Sequence, residues 1–248
     1  MTNANSDCGR DDGLQRVIER VSDEQAIVRE LLALDGCRIL ELGCGRAQHT
    51  RAIALGGAGR DVLALEVDEI QHRQNLEIAD LPNVRFALGA AESIPAPDDS
   101  FDVVFLFKSL HHVPVPVMDR AMVEIARVLG PGGFAYISEP LYRDDYNDLL
   151  RIFHDERDVR QQASEAVDRA LQSGLLELVS QTFFRAPLHF ANLAEFERRV
   201  VAATHSDHRL DAAQQAAVRA QFERSAGGLG ENDGVTFAQP IRVDLLRG

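Results

Sequence analysis

Cysteine is scarce in this chain, basic residues are in the minority, and no long apolar run occurs. Three cysteines (Cys8, Cys37, Cys44), odd in number and without metal-type spacing, give no disulfide framework. Lys and Arg number 26 against 39 Asp and Glu, a formal charge of −13, so the basic footprint of a general nucleic-acid or anionic-membrane binder is missing. No apolar stretch approaches the ~18 residues that cross a bilayer. The first 13 residues lack the basic start and apolar run of a secretory signal. These absences together predict a soluble, reduced, cytoplasmic protein. What remains is ordinary globular material, 45% hydrophobic and 26% charged over 248 residues, long enough to bury a core without staples.

Residues 1–13 are polar and aperiodic and read as a flexible tail, leaving 14–248 as a single domain. Leu14, Val17, Ile18, Val21, Ile27, Val28, Leu31 and Leu32 recur at helical spacing, predicting one or two amphipathic helices. After Asp35-Gly36 the texture alternates. Strands are predicted at 37–42, 61–67, 84–88, 101–107 and 134–138, and helices at 47–55, 69–79 and 118–129. Gly130-Pro131-Gly132-Gly133 reads as a helix stop without a catalytic role. Strands alternating with helices, several of them continuously apolar, imply a parallel sheet covered on both faces. Residues 142–176 are charged and helical without a strand, and read as an inserted substrate cap. Strands at 179–190 and 235–246, joined by helices at about 192–203 and 209–225 and a loop at Gly227, Gly228 and Gly230, complete a seven-stranded sheet.

Chemistry concentrates at the carboxyl ends of the first strands. In Ile39-Leu40-Glu41-Leu42-Gly43-Cys44-Gly45 a strand ends in an acid, and a glycine turn opens a helix, which is where such folds bind nucleotides. Some twenty residues on, Leu65-Glu66-Val67-Asp68 places an acid at the tip of the second strand. Glu66, rather than Asp68, is suited to accept both hydroxyls of a ribose. These two signals do not separate a dinucleotide from another adenosyl ligand.

The remaining motifs run in order: Gly89-Ala90-Ala91-Glu92-Ser93-Ile94-Pro95, Ser100-Phe101-Asp102-Val103-Val104, Ser109-Leu110-His111-His112-Val113 and Leu129-Gly130-Pro131-Gly132-Gly133. As a set, over about residues 37–140, they resemble the class I S-adenosylmethionine-dependent methyltransferases, the subgroup called methyltransferase type 11. The resemblance implies an α/β, Rossmann-like, seven-stranded and mostly parallel sheet with a reversed hairpin at one edge. It implies S-adenosyl-L-methionine as cofactor and methyl transfer by in-line displacement at its sulfonium. It also implies that Glu41, Gly43 and Gly45 line the methionine part, that Glu66 holds the ribose and that Val67 flanks the adenine. Ala90, Ala91 and Glu92 would lie along the adenine edge, and the Phe107 carbonyl would face the cofactor's amino group. Two positions depart from the pattern. Ala47 stands where the family often has a third glycine, a mild change on packing grounds. Ala90 replaces a frequent Asp, forfeiting a hydrogen bond worth roughly 0.5–1.5 kcal/mol, for which Glu92 is a partial substitute.

For the acceptor side, His111 and His112 follow the fourth strand, and either could serve as general base, with His111 favoured by its likeness to the Leu-His position of phosphoethanolamine methyltransferases. A loop anchor is the plainer alternative. Lys108 interrupts an apolar strand end and predicts either an anionic group on the substrate or an ion pair with Glu139. Tyr142 and Tyr146, spaced i, i+4, would share a helical face toward the pocket or pack into a core. His205-Ser206-Asp207-His208 lacks a third metal ligand and is equally a helix cap, so no metal is expected. The expected partner is a small-molecule methyl acceptor, with neither nucleic acid nor membrane; the oligomeric state is not readable. Three rivals stay open: adenosyl-ligand binding with non-methylating chemistry, a non-catalytic partner subunit, and a nicotinamide-dependent oxidoreductase.

Overall fold

A computed structural model describes residues 18–201, 210–226 and 234–248. The expected tail, the His205–His208 motif and Gly227, Gly228 and Gly230 lie outside the described residues. Seven strands form one sheet: β1 Arg38–Leu42, β2 Asp61–Glu66, β3 Val84–Leu88, β4 Phe101–Phe107, β5 Leu129–Pro140, β6 Glu177–Phe190 and β7 Val235–Arg247. Their order is β3-β2-β1-β4-β5-β7-β6. All neighbouring pairs are parallel except those made by β7, which runs antiparallel to both β5 and β6. This is the mostly parallel sheet with a reversed edge hairpin that the family resemblance implies.

The helices are α1 Glu24–Leu31, α2 Gln48–Leu55, α3 Glu69–Asn75, α4 Met118–Val128, α5 Asp145–Leu150, α6 Arg157–Gln172, α7 Leu193–Phe196 and α8 Ala212–Ser225. A π-helical turn, Glu197–Val201, continues α7, and two 3₁₀ turns, Leu110–His112 and Val115–Val117, follow β4. The first helical stretch is shorter than its periodicity predicts. Arg20 and Ser22 give their backbone groups to Arg185 on the edge strand β6, and α1 starts only where the Asp23 carboxylate accepts the Ala26 N–H. The predicted turn at Gly130–Gly133 lies inside β5 as an irregularity. Leu129 pairs with Phe101, and Phe134 and Val103 resume the ladder after the excursion.

Two apolar layers cover the sheet. Met122, Ile125 and Val128 of α4 pack with Ala163, Ala166, Val167 and Ala170 of α6 on one face. Ile27 and Val28 of α1 join Ile53 and Ala54 of α2 on the other. The predicted cap therefore divides. Its second half, α6, is part of the body, because its buried face is a row of alanines and a valine that fits closely against α4.

A third, separate core stands beyond the carboxyl edge. Pro140 pairs with Ile241, so residues 235–240 of β7 and their partners in β6 project past the end of β5. Phe190, Phe196, Phe222, Phe237, Leu149 and Leu150 pack there, joining α5, α7 and α8 to the hairpin tips. Part of this small unit, α7 and α8, comes from the insertion between β6 and β7.

Candidate active site

Strand order reverses between β1 and β4, which opens a crevice at their carboxyl ends. The Gly43-Cys44-Gly45 turn sits there, and neighbours fix its shape. Both Gly43 N–H and Cys44 N–H donate to the Leu65 carbonyl at 3.0 Å. Asn75, at the end of α3, donates from Nδ2 to the Gly45 carbonyl at 2.8 Å. Gly43 has φ +72°, and a Cβ added there would lie 2.8 Å from the Ser109 Cβ, so only glycine fits. Ser109 Oγ in turn donates to the Leu42 carbonyl. Gly45 has φ +50° and open space where a Cβ would project. Ala47 takes φ +57° at the start of α2. The missing third glycine is thus a matter of backbone strain, of order 1 kcal/mol, and not of packing alone.

Glu66 is buried and accepts three backbone N–H groups. Oε2 takes Gly45 N at 2.7 Å, and Oε1 takes Val67 N at 2.8 Å and Asp68 N at 3.0 Å. Oε1 is saturated and Oε2 keeps one lone pair, so the carboxylate can accept one ribose hydroxyl as it stands, not the two predicted. Asp68 is occupied as the N-cap of α3. Val67 beside it is apolar yet 66% exposed. Glu41 is fully buried, its Oε2 lacks a hydrogen-bond partner, and burial together with the nearby Glu66 charge raises its pKa to about 8. An orphaned acid, an open glycine cradle and an exposed apolar residue beside a hydroxyl acceptor fit the S-adenosylmethionine that the resemblance implies. Ala90 and Ser93 form a bridge that sets the turn after β3, with Ala91 buried and Glu92 half-buried.

Phe107 is buried and stacks on the His49 ring at 4.2 Å. Burial and the Lys108 charge lower the His49 pKa to about 4. Lys108 itself has φ +55°, and its ammonium lies 3.7 Å from Glu24 Oε2. The ion pair expected with Glu139 is therefore made with Glu24 instead, a buried acid of α1 that also accepts the Tyr136 hydroxyl at 2.9 Å. Glu139 is already committed: Oε1 accepts the Leu110 N–H and Oε2 binds His111 Nδ1.

His111 is buried between two carboxylates, with Nε2 3.6 Å from Glu156 Oε1. Burial pulls its pKa down, but Glu139 and Glu156 outweigh that and raise it to about 9. Near neutrality such an imidazole is a cation, not a free base. Burial alone would raise the Glu156 carboxyl, yet His111 and Arg160 hold it far below the usual range. Arg160 binds Glu156 Oε2 and Asn147 Oδ1, and His154 Nε2 lies 2.9 Å from Glu156 Oε1. His112 is exposed and its ring lies 4.1 Å from that of His111. Ser109 stands in a motif of the sequence without an assigned role, while Glu24, His49, Asn75, Glu156 and Arg160 are not marked for the site by sequence. Each is recruited through tertiary contact, and no local spacing marks it.

The two tyrosines do not share a helical face. Asp144, at φ +76° and paired with Arg185, delays α5 to residue 145 and leaves Tyr142 outside the helix. Tyr142 lies under the Arg157 guanidinium at 4.7 Å. Tyr146 packs against Phe237 and Phe190 in the cap core, and burial lifts its pKa to about 12.

Residues 40–137 match the family described as methyltransferase domain. The chain is 34% identical over 126 residues to the 27-O-demethylrifamycin SV methyltransferase of Amycolatopsis mediterranei, covering 48% of this chain and 44% of that protein. It is 26% identical over 196 residues to the uncharacterised methyltransferase YcgJ of Bacillus subtilis, covering 71% of this chain and 74% of that one. The YcgJ crystal structure superposes with TM-score 0.59 at 16% identity, covering 90% and 96% of the two chains. The [4+2]-cyclase SpnF superposes with TM-score 0.58 at 25% identity, covering 90% of this chain and 78% of that one. The chain spans less than half the length of the first curated relatives it matches. Among the described residues no helix is long and apolar enough to cross a membrane.

Proposed function

From the methyltransferase domain that residues 40–137 form, we propose that the chain is a class I S-adenosylmethionine-dependent methyltransferase acting on a small molecule in the cytoplasm. The observation that carries this is Glu66 closing onto the Gly45 N–H across the switch point, where the acid and the glycine turn form one preorganised acceptor. The cofactor supplies an electrophilic methyl group on a sulfonium. Glu66 would accept a ribose hydroxyl, Val67 would cover the adenine, and Ala90, Ala91 and Glu92 would border it. Glu41, Gly43 and Gly45 would line the methionine end, together with the Phe107 carbonyl. Alignment and exclusion of water are then the protein's main tasks.

The unit built on the β6–β7 tips stands beyond the carboxyl edge, and in this reading it would enclose an acceptor. Lys108, partly exposed beside Glu24, Tyr142 beside Arg157, and the exposed His112 would be the side chains offered to it. His111, tied on both ring nitrogens' sides by acids, positions this loop and does not take the acceptor's proton. Tyr146 supports the cap from within. The relative named for 27-O-demethylrifamycin SV, the acidic surface and the cap favour a small acceptor over a macromolecule.

Calorimetric titration with S-adenosylmethionine, S-adenosylhomocysteine and NAD tests the cofactor. Binding of both adenosyl ligands without NAD is expected, and failure of both with a folded protein refutes the reading. A second reading, cofactor binding with non-methylating chemistry, is favoured by the 25% identity to a [4+2]-cyclase. Product mass separates them: a gain of one methyl supports transfer, whereas an isomeric product with the cofactor unconsumed supports the second.

A further inference from the structure

On the acceptor side of the crevice, donors converge that methyl transfer does not use as a set. His111 Nε2, a ring nitrogen of His112 and a carboxylate oxygen of Glu156 lie within 4.8 Å of one another. The 3.6 Å from His111 Nε2 to Glu156 Oε1 exceeds hydrogen-bond length. His154 Nε2 lies 2.9 Å from the same Oε1, so it borders the set without belonging to it. The two histidines come from the turn after β4, and Glu156 and His154 from the segment ahead of α6, so the tertiary fold assembles the set.

The support behind these donors is of the kind metal ligands carry. His111 Nδ1 is bound to Glu139, an arrangement that orients the ring and directs Nε2 into the cluster. Glu156 Oε2 is anchored by Arg160, itself tied to Asn147, which leaves Oε1 for the cluster. Glu139, Glu156 and Arg160 leave one net negative charge around a neutral His111, so a cation is favoured there, whether a proton or a metal ion. His112 is exposed, so the cluster is reachable from solvent on one side.

We propose that His111 Nε2, His112 and Glu156, with His154 beside them, bind a divalent transition ion of the zinc class. Imidazole donors with one carboxylate suit zinc, cobalt(II) or nickel(II) and not magnesium or calcium, which prefer all-oxygen shells. The ion takes the place of the His111 Nε2 proton. Its open side would accept a water or an oxygen atom of the acceptor, as in sites that keep a free coordination position. The ion-binding claim stands apart from methyl transfer and can fail or hold without it.

The test uses the full chain, stripped with a chelator and then titrated with Co²⁺ by visible absorption and with Zn²⁺ by calorimetry. One equivalent of each ion is expected, with d–d absorption for cobalt. His112→Ala, at an exposed position, should weaken binding at least about tenfold with unchanged circular dichroism, and Glu156→Gln should weaken it similarly. The double variant His205→Ala/His208→Ala should bind like the parent. Absence of binding, binding unaffected by His112→Ala, or binding lost in the double variant would overturn the proposal and leave His111 as one half of an ion pair.

Discussion

Gly43 and Gly45 are two residues apart in one turn, and alanine should harm them in different ways. At Gly43 the added methyl meets the Ser109 Cβ at 2.8 Å, and that side chain is held by its bond to the Leu42 carbonyl. Left-handed backbone costs an alanine roughly 1–2 kcal/mol, and overpacking at a site that cannot relax adds about 1–3. Gly43→Ala should therefore lose roughly 2–5 kcal/mol, or about 4–20 °C in Tm for a chain of this size. At Gly45 the methyl enters open space, so Gly45→Ala should lose only the strain of about 1–2 kcal/mol. That same methyl would stand in the cradle assigned to the cofactor, and S-adenosylmethionine affinity should fall at least about tenfold, near 1.4 kcal/mol. Denaturant melts measure the first effect and calorimetry the second. Equal destabilisation by the two variants would refute the steric reasoning. Unchanged affinity in Gly45→Ala would refute the cradle.

Three other outcomes follow from the same geometry. Glu66→Ala removes the acceptor of three backbone N–H groups and should weaken S-adenosylmethionine binding by about 1–3 kcal/mol, so an unchanged dissociation constant by calorimetry would remove the ribose assignment. Glu41 has a folded pKa of about 8, so the folded protein holds its proton where the unfolded chain releases it; this contribution is intact below pH about 4.5 and fades as pH rises through 8. Glu41→Gln should flatten that decline and raise stability at pH 8.5 by up to about 5 kcal/mol, read from urea midpoints at pH 5 and 8.5, and an unaltered pH slope would contradict it. Tyr146→Ala opens the aromatic core of the cap and should cost roughly 2–4 kcal/mol, with faster amide exchange confined to α5, α7 and the hairpin tips, whereas Tyr146→Phe should be nearly neutral. Exchange spread evenly over the sheet would show that the cap has no core of its own.

Much of the frame is local information. The β1, β2 and β4 positions follow from nearly continuous apolar runs cut by Asp, Gly and Pro, because a strand buried on both faces leaves few polar positions to blur the pattern. The glycine turn and Glu66 are legible for a related reason: a tight turn after a strand restricts residue type, and a strand tip carries its acid at a set distance along the chain.

Other features belong to the tertiary structure. Periodicity made residues 142–176 one helical cap, but whether an amphipathic face meets the sheet or a separate cluster depends on what stands opposite. The alanine row of α6 found α4, while Leu149 and Leu150 found Phe190 and Phe237. Lys108 was expected to pair with Glu139, one strand away, yet its partner Glu24 lies 84 residues earlier and reaches it by the packing of α1 on the sheet. His111 reads as a candidate base in isolation; Glu139 and Glu156, from two other segments, make it a cation. The chain's local pattern determined the individual strands and the glycine turn, since each is set by residues near one another in sequence. The protonation of the histidines, the partner of Lys108 and the makeup of the cap were decided by long-range contact, because a side chain's charge and burial are properties of whatever the fold brings against it.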